Sequence, residues 1–142
     1  DMDALFDAAP LQQSASGFTD GLCKLLESHP LWLRLIPITH VILEQNIEYE
    51  AARDFKRVLL SGLARSGAKM EEKLDFIPHG SGQMVLLQIY AMLIGVQNLV
   101  EPAPVVKKLI AQESEMSILA IQLSGIFPGM LAAYLTGLSG TN

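Results

Sequence analysis

Reactive side chains are few in this chain and are scattered along it. Cys23 is the one cysteine, and the neighbouring Lys24 is the kind of cation that can lower a thiol pKa and create a nucleophile. A lone cysteine on a helix is more often a small buried hydrophobic residue. The histidines His29, His40 and His79 are far apart, and two of them adjoin prolines. The sequence contains no phosphate-binding loop, dinucleotide fingerprint, nucleophile elbow or paired zinc-ligand histidines. We therefore predict no enzymatic activity, no metal site and no cofactor.

Polar side chains inside apolar stretches indicate a different chemistry, the binding of a small apolar or amphipathic molecule. Gln88 interrupts the apolar run 85–100. A buried unpaired amide costs about 1 to 3 kcal/mol, so Gln88 needs a partner in the protein, in water or in a ligand. Apolar walls with a few polar groups are typical of ligand pockets, and its helical neighbours are Met84, Met92, Gly95 and Leu99. An amide paired with a neighbouring helix is the open alternative. Gln83, Tyr90 and Gln97, seven residues apart, predict a polar rim elsewhere on this helix.

A second group of polar side chains follows Pro37, which is expected to kink its helix. Thr39 and His40 come within one turn of the proline, among apolar residues. His40 and Glu44 are also spaced to form a local pair, which is the simpler interpretation. We predict that His40 and Gln88 orient the ligand and that the other residues of the site provide mainly apolar contacts. The predicted ligand-binding residues are Trp32, Ile36, Thr39, His40, Leu43, Phe55, Leu59, Met84, Gln88 and Met92.

The elements that must position these residues are all helices, because apolar residues recur at three and four and almost never alternate. The chain is expected to form an all-α, multi-helix bundle. Ser16 is a candidate N-cap for a first helix over 17–28, and Asn46 is a candidate cap for a long amphipathic helix over 47–74. The predicted apolar stripe of that long helix is Ala52, Phe55, Leu59, Leu63 and Met70. The stretch 78–82, PHGSG, predicts a turn before the next helix.

Composition limits the classes of protein to consider. The chain has 142 residues, half of them hydrophobic, and a formal net charge of −5. One core is the default for this length. The negative net charge does not predict a positively charged surface that would attract nucleic acid or an anionic membrane. One cysteine excludes an internal disulfide and suits a reducing compartment, so cytoplasmic localisation is expected. The opening residues show no signal peptide, and we expect a fragment of a longer protein.

Charge is missing from two long stretches, 76–100 and 116–142. Exposed helix faces normally carry charge, so a covering surface is implied. Residues 118–138 are long enough to span a bilayer, but Gln122, Ser124 and Pro128 interrupt the segment and acidic residues precede it. Small residues at i,i+4 favour close helix packing across a two-fold axis instead, with a neighbour in the same chain as the alternative. The predicted dimer interface residues are Gln122, Gly125, Gly129, Ala132, Ala133 and Gly137.

The order of these segments resembles the C-terminal regulatory domain of tetracycline-repressor-like (TetR family) transcriptional regulators. The resemblance covers about residues 17–139 and depends most on the stretches HPLWLRL, LEQN, DFKR and VEP. It implies a homodimer whose last helices form a four-helix bundle, an effector pocket among the central helices, and an N-terminal helix-turn-helix that this chain lacks. Residues 1–16 would end the connecting helix and linker, and 17–142 would form the ligand-binding and dimerisation domain.

The mechanism implied by that resemblance is allosteric repression. A dimer reads half-sites about 34 to 36 Å apart, so an effector that favours another arrangement of the subunits releases the DNA. The effector must bind the two arrangements unequally. This chain alone is not expected to bind an operator. The alternatives are a structural helical oligomerisation module with a filled core, and a carrier of apolar ligands.

Overall fold

The computed structural model describes residues 6–7, 14–38 and 46–140, and everything described is helical or irregular, without strands. The all-α prediction is confirmed. The helices are α1 (Ala15–Glu27), α2 (Pro30–Ile38), α3 (Tyr49–Lys73), α4 (Gly82–Val100), α5 (Pro104–Gln112), a 3-10 helix (Ser114–Leu119) and α6 (Leu123–Ser139). The core lies between α1, α4, α6 and the C-terminal part of α3.

Helix α1 begins two residues earlier than the sequence suggests. Ser14 is the N-cap, in an extended conformation, and its hydroxyl accepts a hydrogen bond from the Gly17 amide at 3.1 Å. The prediction of Ser16 as the cap is therefore wrong, because Ser16 already lies in the first helical turn. Phe18 lies on the buried face of α1, and its ring stacks on Phe6 with 5.7 Å between centroids. The segment before α1 therefore contributes directly to the core.

Helix α3 also begins at a different cap from the predicted one. Glu48, in an extended conformation, occupies the N-cap position, and Asn46 lies outside the helix. The Glu48 side chain makes no capping hydrogen bond. On the solvent-exposed side of α3, Arg53 forms a salt bridge with Glu50, as the i,i+3 spacing predicts. The first half of this helix is thus held by local contacts, with few from the core.

The backbones of α3 and α4 approach each other closely at Gly67 and Gly82. A Cβ placed on Gly67 would lie 2.7 Å from the backbone nitrogen of Gln83, and one on Gly82 would overlap the Gly67 carbonyl. Glu71 caps the start of α4, since its carboxylate accepts from the amides of Gly82 at 2.7 Å and Gly80 at 3.0 Å. Gly80 has a φ of 82°, which confirms the predicted turn.

Helix α4 buries one face and exposes the other. Val85, Ile89, Leu93 and Val96 lie in the core, and Gln97 is only 5% exposed. The predicted polar rim is therefore wrong at Gln97, because the helical repeat carries that position to the inner face. Among the described helices, α4 is long and apolar enough to cross a bilayer, with a mean hydropathy of 1.5, but the core helix of a globular protein has the same properties.

Helix α6 follows the same pattern with a narrower buried face. Phe127, Leu131 and Leu135 are almost fully buried. Pro128 lies inside the helix without ending it. Between α4 and α6, helix α5 and the 3-10 helix pack on each other, and none of their residues, 104–119, is buried. The two charge-free stretches thus supply two core helices whose outer sides remain exposed.

Candidate functional site

The outer sides of α4 and α6 form one continuous surface, called here the two-helix face. Gln88 of α4 accepts a hydrogen bond from the Tyr134 hydroxyl of α6 at the line where the helices meet. Burial raises the pKa of Tyr134, which keeps the phenol protonated and able to donate. Gln88 is twelve residues before the end of α4, and Tyr134 is eleven residues after the start of α6. The exposed members of the face are Met84, Leu87, Gln88, Ala91 and Gly95 on α4, and Gly125, Gly129, Met130, Ala133 and Gly137 on α6.

The two-helix face contains no charged side chain and leaves room for close approach. A Cβ added to Gly95, Gly125, Gly129 or Gly137 would meet nothing within 4 Å. Met84 is 57% exposed, although such a large apolar side chain usually packs. Of the predicted interface residues, Ala132 is half-buried, and the exposed ones are Gln122, Gly125, Gly129, Ala133 and Gly137. The described part of the chain therefore leaves the small-residue side of α6 open.

The predicted ligand-binding residues that the structure describes lie on α2, α3 and α4. Met84 and Gln88 lie on the two-helix face, and Met92 is half-buried against the core. Gln88 is exposed and has Tyr134 as a partner, which is the helix-pairing alternative for this amide. The roles of these residues in ligand binding stay predictions.

The remaining predicted residues belong to α2, to the first half of α3 and to the segment between them. Trp32 is 46% exposed, with its ring 6.0 Å from the His29 ring. Phe55 is 42% exposed and Leu59 is half-buried. Thr39, His40 and Leu43, together with the side chain of Ile36, lie outside the described residues. Further apolar side chains are exposed on the same two helices, namely Leu31, Leu35, Tyr49, Val58 and Leu60.

A small cavity of about 210 Å³ opens between α1 and α6. It is lined by Cys23, Leu26, Glu27, Leu123, Ser124, Phe127 and Pro128, none of which is a predicted ligand residue. Ligand pockets usually measure about 300 to 1,000 Å³, so this space is small for an effector. Burial, followed by the charges of Glu27 and Asp20, raises the pKa of the Cys23 thiol. That direction is opposite to the one an activated nucleophile requires.

Metal ligation finds no support in the described residues. No group of three or more histidine, cysteine, aspartate or glutamate side chains is placed to hold an ion there. The pKa of Glu71 is lowered chiefly by the backbone hydrogen bonds from Gly80 and Gly82. His79 lies 3.6 Å away but is almost fully exposed. This arrangement is a helix cap and has a structural role.

Some contributors to the two-helix face were missed from the sequence. Leu87, Ala91 and Tyr134 were not assigned to any site, and Met84 and Gln88 were assigned to a pocket. The signal was present, since both charge-free stretches predict a covered surface. What the sequence did not show was that α4 and α6 turn their charge-free sides outward next to each other.

The described chain is an all-α domain whose last two long helices leave an uncharged face with small residues exposed. The chain belongs to the family of tetracyclin repressor-like C-terminal domains, whose family model matches residues 1–142. Proteins of this family are non-enzymatic transcription regulators, and membership implies dimerisation and the binding of a small effector. Among curated proteins, no match to this chain is found.

Proposed function

We propose that this chain is the effector-binding and dimerisation domain of a TetR-like transcriptional repressor, in which a small molecule causes release of DNA. The observation that carries the proposal is the open, charge-free two-helix face. Two copies joined through it bury one side of four helices, two from each subunit. Met84 and Leu87 then lose their contact with water, and the glycines of α6 let the backbones come close.

Effector binding is placed on α2 and the first half of α3. Both elements expose large apolar side chains, including Trp32 and Phe55, on either side of residues 39–45. An apolar or amphipathic effector would cover part of that surface. The effector shifts the regulator toward a non-binding arrangement only through its difference in affinity for the two arrangements, typically about 1 to 3 kcal/mol. A helix-turn-helix supplied by a longer form of the chain would contact the DNA.

The dimer is tested by sedimentation equilibrium on the chain and on Ala133→Arg. Ala133 is exposed at the centre of the outer side of α6, so an arginine there brings two buried charges together in the dimer. We expect dimerisation to weaken by roughly 100-fold or more. The matched control is Ala64→Arg, an equally exposed alanine on α3, which should dimerise as the unaltered chain does. A monomeric unaltered chain at micromolar concentration, or equal behaviour of the two variants, would overturn this placement.

The effector site is tested with the one tryptophan of the chain. Trp32 emission reports on α2, and the dye anilinonaphthalene sulfonate is a suitable apolar anionic probe. We expect the dye to quench Trp32, and Phe55→Ala to weaken that quenching because it removes part of the apolar bed. Val105→Ala, at an exposed apolar side chain of α5, is the control and should leave quenching unchanged. An equal effect of both substitutions contradicts a site on α2 and α3.

A further inference from the structure

The core of the described chain contains a carboxamide without a partner, that of Gln97 on α4. The buried polar residues there are Thr19, Ser66 and Gln97, and Gln97 is 5% exposed. The Thr19 hydroxyl donates to the Ala15 carbonyl at 2.8 Å, and Ser66 has a partner as well. Within the described residues, no hydrogen bond is made by the Gln97 side chain. A buried polar group left unsatisfied destabilises the fold, and its usual explanation is a water, an ion or a bound molecule.

Gln97 lies on the side of α4 that points away from the two-helix face. It follows Gln88 by nine residues, which is two and a half helical turns. The amide of Glu101 donates to the Gln97 carbonyl at 3.0 Å, so Glu101 lies one turn further along. The Glu101 carboxylate is 3.9 Å from the guanidinium of Arg34 on α2. The unpaired carboxamide is therefore one turn from the contact between α4 and α2.

Helix α2 buries little surface against the rest of the subunit. None of its described side chains, residues 30–35, is buried, and Leu33 is the half-buried one that packs against the core. The Arg34–Glu101 pair is exposed at both side chains, and exposed ion pairs contribute little to stability. A small displacement of α2 therefore loses little burial, and it would admit a molecule to the Gln97 side of α4.

The surroundings of Gln97 limit the chemical group that can pair with it. Residues 76–100 carry no charge, and Arg34 already pairs with Glu101. A charged group buried here would lack a partner of opposite charge, so a neutral group is favoured. A carboxamide offers an acceptor oxygen and two donor hydrogens. A second amide satisfies both functions at once through two parallel hydrogen bonds, whereas a carboxylate can only accept.

We propose that the Gln97 carboxamide is the polar anchor of the effector site and that the effector is an apolar molecule with a neutral amide group. This inference rests on the proposed effector site on α2 and the first half of α3. The amide of the effector pairs with Gln97 beside α2, and its apolar part covers the exposed side chains of α2. Binding then satisfies a group that the free protein leaves unpaired.

The experiment compares two probes that share one apolar chain and differ in the polar group. Octanamide and octanoate are titrated into the unaltered chain by calorimetry. We expect octanamide to bind at least roughly tenfold more tightly, because it alone can both donate to and accept from Gln97. Octanamide should also shift the emission of Trp32, which lies on α2.

Two variants test whether this preference depends on Gln97. Gln97→Met replaces the amide by an apolar side chain of similar length and should abolish the preference for octanamide. Gln83→Met makes the same change at an exposed glutamine of α4, and it is the matched control that should keep the preference. A preference that survives in Gln97→Met, or that is lost equally in both variants, overturns the proposal.

The dye titration of Phe55→Ala separates this inference from the proposed effector site, because it reports on the apolar surface and does not require Gln97. Dye quenching that responds to Phe55→Ala, together with equal affinities for octanamide and octanoate, overturns the role of Gln97 and leaves the effector site in place. The partner of the carboxamide is then a water molecule. Absence of both dye quenching and octanamide binding overturns both proposals.

Unfolding of the chain without probe gives a second readout. Gln97→Met removes the unsatisfied group, so we expect the midpoint of thermal unfolding, at one fixed protein concentration, to rise by about 3 °C or more. Gln83→Met should change the midpoint little, because that side chain is exposed. A lower midpoint for Gln97→Met would show that the amide is already paired in the free protein, and this result too would overturn the proposal.

Discussion

The two halves of α3 differ in a way that hydrophobicity alone does not explain. The first half carries large apolar residues such as Tyr49, Phe55 and Val58, and these are exposed. The second half contains the small residues Ser66 and Gly67, and these are buried. Burial along this helix follows the close backbone approach to α4. The described core therefore leaves the large apolar side chains of the first half uncovered.

The largest effect is expected from filling the space at the α3–α4 junction. Gly82→Ala places a methyl group against the Gly67 carbonyl, so the helices must separate, at a cost of about 3 kcal/mol or more. Urea unfolding at one fixed protein concentration measures the change, because dimerisation couples stability to concentration. Gly62→Ala is the control within α3, where an added Cβ meets nothing, and we expect a gain of about 0.5 to 1 kcal/mol. Equal effects at both glycines would contradict a close-packed junction.

A smaller effect is expected from truncating apolar side chains in the two halves of α3. Met70 is fully buried, so Met70→Ala should lower the free energy of unfolding by about 2 to 3 kcal/mol. Phe55 is 42% exposed, so Phe55→Ala should cost less than about 1 kcal/mol despite removing a larger group. The same urea titrations provide the comparison. A larger loss for Phe55→Ala would show that the first half of α3 is packed in solution, against the effector-site proposal.

The smallest effect is expected from the cap of α4. The carboxylate of Glu71 accepts hydrogen bonds from the amides of Gly80 and Gly82. Glu71→Gln keeps the shape of the side chain but removes its negative charge, and we expect it to lower the free energy of unfolding by about 1 kcal/mol. Glu72→Gln, at the exposed neighbouring glutamate, serves as the control and should change stability little.

The pH dependence of that cap has a definite sign. Because the pKa of Glu71 is lowered in the folded protein, its contribution is fully present above the ordinary value of 4.5 and is lost as pH falls through the lower folded value. The stability difference between the unaltered chain and Glu71→Gln should therefore be constant near neutral pH and shrink in acid. A difference that grows on acidification would contradict the lowered pKa.

Much of the fold could be predicted from the sequence because the helical repeat and the turn residues are local signals. The helices α1, α3, α4 and α6 and the turn before α4 were predicted, whereas α5 and the 3-10 helix were not. The caps were not, since Ser14 and Ser16 are both suitable residues and the local sequence does not distinguish them. Gln97 was placed on a rim, because the pattern of one helix does not reveal which neighbours surround it.

The site was harder to predict than the fold, because it depends on the mutual orientation of helices. The sequence divided the charge-free stretches between a pocket on α4 and an interface on α6. In the structure, Gln88 pairs with Tyr134 and the outer sides of these helices form one face. Nothing in the residue pattern of either helix specifies that contact, which joins residues 46 positions apart.

The contact between Gly67 and Gly82 has a mechanical consequence. Side chains between two helices act as a compliant layer that can change rotamer and absorb a small displacement, and this crossing has no such layer. A tilt of α3 at this crossing would therefore act on the α4 backbone directly. The crossing thus joins the helix with the exposed apolar half to the helix that carries Gln88 and the two-helix face.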